Sequence, residues 1–214
     1  MTLWLASGNM HKKAEFAAIF TAERGRAGEH VSLCTPSDAG IAFDPVEDGA
    51  SFAENALIKA RALFAIVGEP VVADDSGLCV DALGGRPGIH SARYGGGKLD
   101  AAGRNALLLE ELKDAAERSA RFVCAMAFVY GKERFVVVGE SLEGEIISRK
   151  EDAAGKGGFG YDPVFFLPQR GCTLAELSAE EKNKVSHRGR AARLAAPVIG
   201  RLMREGSLYQ PRSF

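Results

Sequence analysis

The chain has 214 residues, 46% of them hydrophobic and 26% charged, which is ordinary globular usage and too apolar for a disordered protein. Its 27 Lys and Arg against 28 Asp and Glu leave a formal charge of −1. That excludes a binder of nucleic acid polymers held by a basic excess, but not a small anionic ligand, for which a few local cations suffice.

In chain order, Leu3 to Ala6 reads as a short buried strand that stops at Ser7-Gly8-Asn9. A helical pattern follows from about His11 to Glu23, with Phe16, Ile19 and Phe20 on one face. Val31 to Thr35 reads as a strand, and a polar loop containing Gly and Pro runs on to Ala50. Ser51-Phe52-Ala53-Glu54 is a capping box, in which each end side chain bonds the other's backbone N–H. It opens a helix to about Val67, stopped by Gly68 and Pro70.

Val71 to Asp74 is a strand running into Asp75-Ser76-Gly77, with a further strand over Leu78 to Asp81. The glycine-rich stretch from Leu83 to Gly97 is loop or short helical turns. Asp100 to Ala116 carries Leu107, Leu108 and Leu112 at helical spacing. Ala120 to Tyr130 and Arg134 to Ser148 flank Gly131-Lys132-Glu133 as a long β-hairpin. After a glycine loop comes the apolar run Val164 to Leu167. Ser178-Ala179-Glu180-Glu181 is a second capping box, opening a basic helical region to about Arg204 that Pro197 should kink or interrupt. The fold class expected is α/β, a mixed sheet with a long β-hairpin and flanking helices. The length suits one ordinary domain or two small lobes sharing a core over residues 1–206, with 207–214 expected to be a loose tail.

Cys34, Cys79, Cys124 and Cys172 form no CxxC pair, and Cys79 and Cys124, in apolar surroundings, read as small buried hydrophobes. The N-terminus lacks the basic flank and long apolar stretch of a signal peptide. No run reaches the roughly 18 apolar residues of a spanning helix. The expectation is a cytoplasmic protein without a membrane partner.

Four segments could carry chemistry. Ser7-Gly8-Asn9-Met10-His11-Lys12 lies between strand and helix, where free N–H groups and a lysine suit a phosphate, or simply form an N-capped turn. Asp74-Asp75-Ser76-Gly77, at an expected strand tip, offers hard oxygens for Mg²⁺, with Glu47 and Asp48 upstream; alternatively it is a turn capped by its own Asp side chains. Gly155-Lys156-Gly157-Gly158-Phe159-Gly160-Tyr161-Asp162-Pro163 formally contains GxGxxG, but Pro163 and the β-type run after it deny the helix that a dinucleotide fingerprint needs. Phe159 or Tyr161 could meet a flat ligand with Asp162 as acceptor, or both rings could pack the core. Finally, Lys182, Lys184, Arg188 and Arg190 surround His187; they are either directional donors to a ligand or a solvated basic face.

Five motifs carry a resemblance: SGNMHK (7–12), SFAENALIKA (51–60), ADDSGLCVDALGGRPGIHSARY (73–94), GGFGYDPVFF (157–166) and EKNKVSHRGRA (181–191). In this order, the chain resembles the inosine/xanthosine triphosphate pyrophosphatase family over most of residues 3 to 191. The resemblance implies an ITPase-like fold of two lobes around a central cleft, a homodimer, and a purine nucleoside triphosphate substrate. The implied reaction is Mg²⁺-dependent hydrolysis of inosine, deoxyinosine and xanthosine triphosphates to the monophosphate and pyrophosphate.

Residue by residue, it implies that Ser7, Gly8, Asn9, Met10, His11 and Lys12 line the triphosphate. Glu47 and Asp75 match the Mg²⁺-binding acids, Glu47 rather than Asp48 being placed by its distance to SFAEN, and Asp75 is also the proton acceptor. Ser76 contacts substrate, Lys59 and Lys182 bind phosphates, and Phe159, Gly160, Tyr161 and Asp162 hold base and sugar. His187 and Arg188 approach the purine 6-oxo group. Donors there would favour a 6-oxo base and leave buried partners unpaired against a 6-amino one. The alternatives are a Maf-like nucleotide pyrophosphatase and a nucleotide-binding module without catalysis. An aspartic protease, suggested by Asp75-Ser76-Gly77, would lack its second D-S-G triplet.

Overall fold

The computed structural model describes residues 2–27, 32–155 and 157–208. Its elements are β1 (Thr2–Leu5), α1 (Met10–Ala27), β2 (Ser32–Cys34), α2 (Phe52–Val67), β3 (Val71–Val80), α3 (Ala101–Glu111), β4 (Ser119–Gly131), β5 (Arg134–Ile146), β6 (Phe165–Leu167), β7 (Cys172–Thr173), α4 (Ala179–Val185) and α5 (His187–Leu208). Val31, where the second strand was expected to begin, and residues 209–214 of the expected tail lie outside the described residues.

The strands form one open sheet in the order β2-β1-β3-β4-β5-β6-β7. β1 runs parallel to both β2 and β3, whereas β6 is antiparallel to β5 and to β7. The sheet is therefore mixed, as the alternation of helical and strand patterns implied. The expected hairpin is β4 and β5, joined by a two-residue turn at Lys132-Glu133. No helix among the described residues is long and apolar enough to cross a membrane.

The chain divides into two compact units. One comprises Met1–Asp75, Ala125–Gly139 and Ala191–Phe214; the other comprises Ser76–Cys124 and Glu140–Arg190. The first is built around Trp4, Ala56, Ala60, Leu63, Val71, Ala127 and Val129. Helix α2 faces this core with Ala56, Ala60 and Leu63, spaced four and three residues apart, as one helical face requires. A fully buried side chain such as Leu63 contributes roughly 2 kcal/mol by leaving water. The second unit packs Leu78, Leu108, Leu112, Phe122, Ile146, Phe165 and Leu174 into its own core. There Arg118 donates to the carbonyls of Leu112 and Ile146, both at 2.8 Å, tying the end of α3 to the end of β5.

Three local expectations need correction. Val71 to Val80 is a single strand, so Asp74 and Asp75 sit inside β3 and not at a tip. Each carboxylate finds a lysine, Lys12 or Lys59, and has no need to cap its own backbone in a turn. Only half of the first capping box forms. The Ser51 hydroxyl accepts from the Glu54 N–H at 3.2 Å, but the Glu54 carboxylate takes the Ala50 N–H at 2.6 Å. The second box, Ser178 with Glu181, is complete.

Pro197 does not interrupt its helix; α5 runs through it. Pro197 faces solvent, where water can satisfy the carbonyl left without a donor one turn earlier. Ala192, Ala195, Ile199 and Met203 meanwhile keep the opposite face buried. The break falls instead at Ser186, whose extended backbone ends α4 and whose hydroxyl accepts from the Gly189 N–H at 3.1 Å to start α5.

Candidate functional site

In the first unit, Lys59 gathers the acids. It projects from α2, and its Nζ lies 2.7 Å from Glu47 Oε2 and 3.3 Å from Asp75 Oδ1. Burial alone would lower the lysine pKa, but the carboxylates of Asp75, Asp74 and Glu47 outweigh it and leave the group above its ordinary value. Lys59 is therefore a fixed cation, buried among acids that would otherwise repel one another.

Asn55, one turn before Lys59 on α2, completes the cluster. Its Nδ2 donates to Asp75 Oδ2 at 3.3 Å, and its Oδ1 accepts the Gly49 N–H at 2.9 Å. The 47–49 loop and Asp75 are thus held through the same helix. Glu47 joins the cluster, whereas Asp48 is exposed.

Asp74, the next residue along β3, pairs with Lys12 at 2.9 Å. Successive strand residues point to opposite faces, so the two adjacent acids serve two different lysines. Lys12 lies in the first turn of α1, which Asn9 caps by accepting the Lys12 N–H at 3.3 Å. The Asn9 N–H in turn donates to the Ser7 hydroxyl at 3.1 Å. The N-capped turn is thus formed. Gly8, Asn9 and Met10 are exposed in it, and the side chain of His11 lies outside the described residues.

In the second unit, Asp162 organises the glycine loop. Its Oδ2 accepts the Phe159 N–H at 2.7 Å and Lys182 Nζ at 2.8 Å, with both charged groups buried. Gly158 is required here: its φ is +73°, and a Cβ would stand 2.1 Å from Asp162 Oδ2. Two cations attend the Phe159 ring, Lys182 Nζ at 4.8 Å and the Arg188 guanidinium at 5.3 Å. Arg188 also donates to the Ser76 hydroxyl at 3.3 Å. His187 stacks on Phe122 with ring centroids 4.8 Å apart. Tyr161 is committed to the core, its hydroxyl donating to the Ser91 carbonyl at 2.9 Å, so Phe159 is the less buried ring of the loop. No helix follows the glycines, only a 3-10 turn at Asp162–Val164 and then β6.

The structure therefore assembles two groups. Glu47, Lys59, Asp75, Asn55, Lys12 and Asp74 belong to the first unit; Ser76, Phe159, Asp162, Lys182 and Arg188 belong to the second. Reading the residues alone missed Asn55 and the pairing role of Asp74. Asn55 stands inside SFAEN and Asp74 beside Asp75, so their positions signalled them, but their partners are remote in sequence. Among the described residues no three His, Cys, Asp or Glu side chains form a cluster able to hold a metal by themselves. Glu47 and Asp75, held together by Lys59, offer hard carboxylate oxygens of the kind a divalent ion takes.

Comparison with known proteins agrees in extent and in kind. The model of the Ham1 family matches residues 3–198. The dITP/XTP pyrophosphatase of Treponema denticola is 50% identical over 194 residues, 89% of this chain and 94% of that protein. That of Geobacillus kaustophilus is 49% identical over 189 residues, 87% and 88% of the two chains. Among solved structures, a HAM1 protein from Coxiella burnetii superposes with a TM-score of 0.84 at 36% identity, covering 94% of this chain and 99% of its own. The nucleoside-triphosphatase / dITP/XTP pyrophosphatase of Mycobacterium abscessus does so with a TM-score of 0.72 at 44% identity, covering 92% and 99%. A match that runs from the first strand into the last helix, and that includes all five motifs, places this chain in the Ham1 family.

Proposed function

We propose that this chain is a nucleoside triphosphate pyrophosphatase that cleaves deoxyinosine, inosine and xanthosine triphosphates to the monophosphate and pyrophosphate. The observation that carries the reading is Lys59 bound to both Glu47 and Asp75, a buried cation between two carboxylates on the residues expected to act on a triphosphate. The names of the curated relatives, both dITP/XTP pyrophosphatases, support deoxyinosine and xanthosine triphosphates among these substrates.

The chemistry asked of these residues is displacement at the α-phosphorus. Water attacks, the bond from the α-phosphorus to its bridging oxygen breaks, and pyrophosphate departs with the electron pair. Asp75 accepts the proton of the attacking water. Lys12, Lys59 and Lys182 neutralise the phosphates as charge builds on the leaving group, and the exposed turn at Gly8 to Met10 takes the phosphate chain. Glu47 and Asp75 would hold Mg²⁺, which when bound supplies Lewis acidity and further charge neutralisation. Phe159 offers its ring to the purine, while Arg188 and His187 donate toward the 6-oxo group. Asp162 keeps Lys182 and the loop in place. The reading includes a homodimer, which sedimentation of the purified protein would check.

The test is pyrophosphate release across deoxyinosine, inosine, xanthosine, deoxyguanosine and deoxyadenosine triphosphates, with Mg²⁺ and after chelation. The first three should exceed deoxyadenosine triphosphate in kcat/KM by on the order of a hundredfold or more, and chelation should abolish turnover. Binding without release of pyrophosphate from any of them would make this a nucleotide-binding module.

A further inference from the structure

A residue outside every motif above touches the loop that carries Phe159. Asn105, in the middle of α3, donates from Nδ2 to the Gly160 carbonyl at 3.1 Å, across 55 positions of sequence. Its other amide atom, Oδ1, is buried and has no hydrogen-bond partner among the described residues. A buried acceptor without a partner costs stability, and an apolar side chain of similar shape would avoid that cost. What the asparagine supplies is the donor to Gly160.

The helix under it is firmly seated. Asp100 caps α3 by accepting the Gly103 N–H at 2.7 Å, and Leu108 and Leu112 are fully buried in the core of the second unit. The loop is held at Tyr161 by the bond to Ser91 and at Asp162 by Lys182. The Phe159 N–H is itself bound to Asp162, and Asn105 adds a hold on the peptide between Gly160 and Tyr161, next to the residue that carries the ring. We propose that Asn105 is a positioning residue for base binding: by fixing the Gly160 carbonyl it sets the Phe159 ring against Arg188. This rests on the proposed role of Phe159 in holding the purine.

The test compares Asn105→Leu with the wild type. Affinities for deoxyinosine monophosphate and for inorganic pyrophosphate are read by calorimetry, KM and kcat with deoxyinosine triphosphate, and thermal stability by melting. Positioning predicts monophosphate affinity and KM each worse by on the order of tenfold. Pyrophosphate affinity should stay within about twofold and kcat within about threefold, with no loss of melting temperature because the partnerless acceptor is gone. Monophosphate affinity within about twofold of wild type would overturn the proposal, as would a fall in both affinities together or a drop in melting temperature and kcat at unchanged KM. Asn105→Asp, which sets an acceptor against the Gly160 carbonyl, is read by the same criteria if the leucine variant does not fold. A wild type that turns over no nucleotide would count against the pyrophosphatase reading itself, whereas an active wild type and an indifferent Asn105→Leu count against this role alone.

Discussion

Lys59 and Asp75 meet at 3.3 Å, Nζ to Oδ1, with both side chains almost wholly out of solvent. One residue comes from the middle of α2 and the other from the middle of β3. Their pairing, beside a second buried acid, Asp74, holds the lysine charged despite its burial.

Asp75→Asn keeps the size of the side chain and removes its capacity to accept a proton. Pyrophosphate release from deoxyinosine triphosphate should fall on the order of a thousandfold, while the circular dichroism spectrum and melting temperature stay close to wild type. Retention of a tenth or more of the turnover would remove Asp75 from the reaction.

Arg188→Ala withdraws the guanidinium from the Phe159 ring and from Ser76. The preference for deoxyinosine over deoxyadenosine triphosphate, measured as a ratio of kcat/KM, should shrink by on the order of a hundredfold. A ratio that survives the substitution means that discrimination is made elsewhere.

Gly189→Ala tests the junction that presents His187 and Arg188. A Cβ at this position would stand 1.9 Å from the Asn183 carbonyl oxygen, a main-chain atom that no side-chain rotation can move away. We expect destabilisation of about 3 kcal/mol in urea unfolding, with loss of base selectivity as the start of α5 is displaced. Wild-type stability would show that the two helices can separate without cost.

Alkaline pH should weaken the second unit through two phenols. Burial, aided by the hydrogen bond to Glu111, pushes Tyr94 up to about 12, and burial pushes Tyr161 up to about 12. In the unfolded chain a tyrosine releases its proton near pH ~10. Between those values the unfolded state binds fewer protons than the folded one, so stability falls as pH rises; below about 10 the contribution is fully present. Unfolding midpoints at about pH 9 and about pH 11.5, read beside phenolate absorbance, would check this. Tyr161→Phe should flatten the decline, and an unaltered slope in that variant would exclude Tyr161 as a source.

How much of this was legible in advance depends on the range of the interaction. The α/β class, the helix opened at Ser51, the hairpin turning at Lys132-Glu133 and the absence of a helix after the glycine loop follow from side-chain periodicity, caps and the missing N–H of Pro163. These are effects of a few neighbouring residues, and a linear reading contains them. The site motifs were legible for the same reason, as residue types at fixed spacing.

Which partner each charged group takes was not written locally. Lys59 reaches Glu47 and Asp75 at separations of 12 and 16 residues, Lys182 reaches Asp162 at 20, and Asn105 reaches Gly160 at 55. These pairings exist only once the sheet and the two cores have brought the chain segments together. The pairings of Asp74 and Asp75 also decided against the turn at Asp75-Ser76-Gly77. A buried charge that finds its partner outweighs the weaker local preference of the residue concerned.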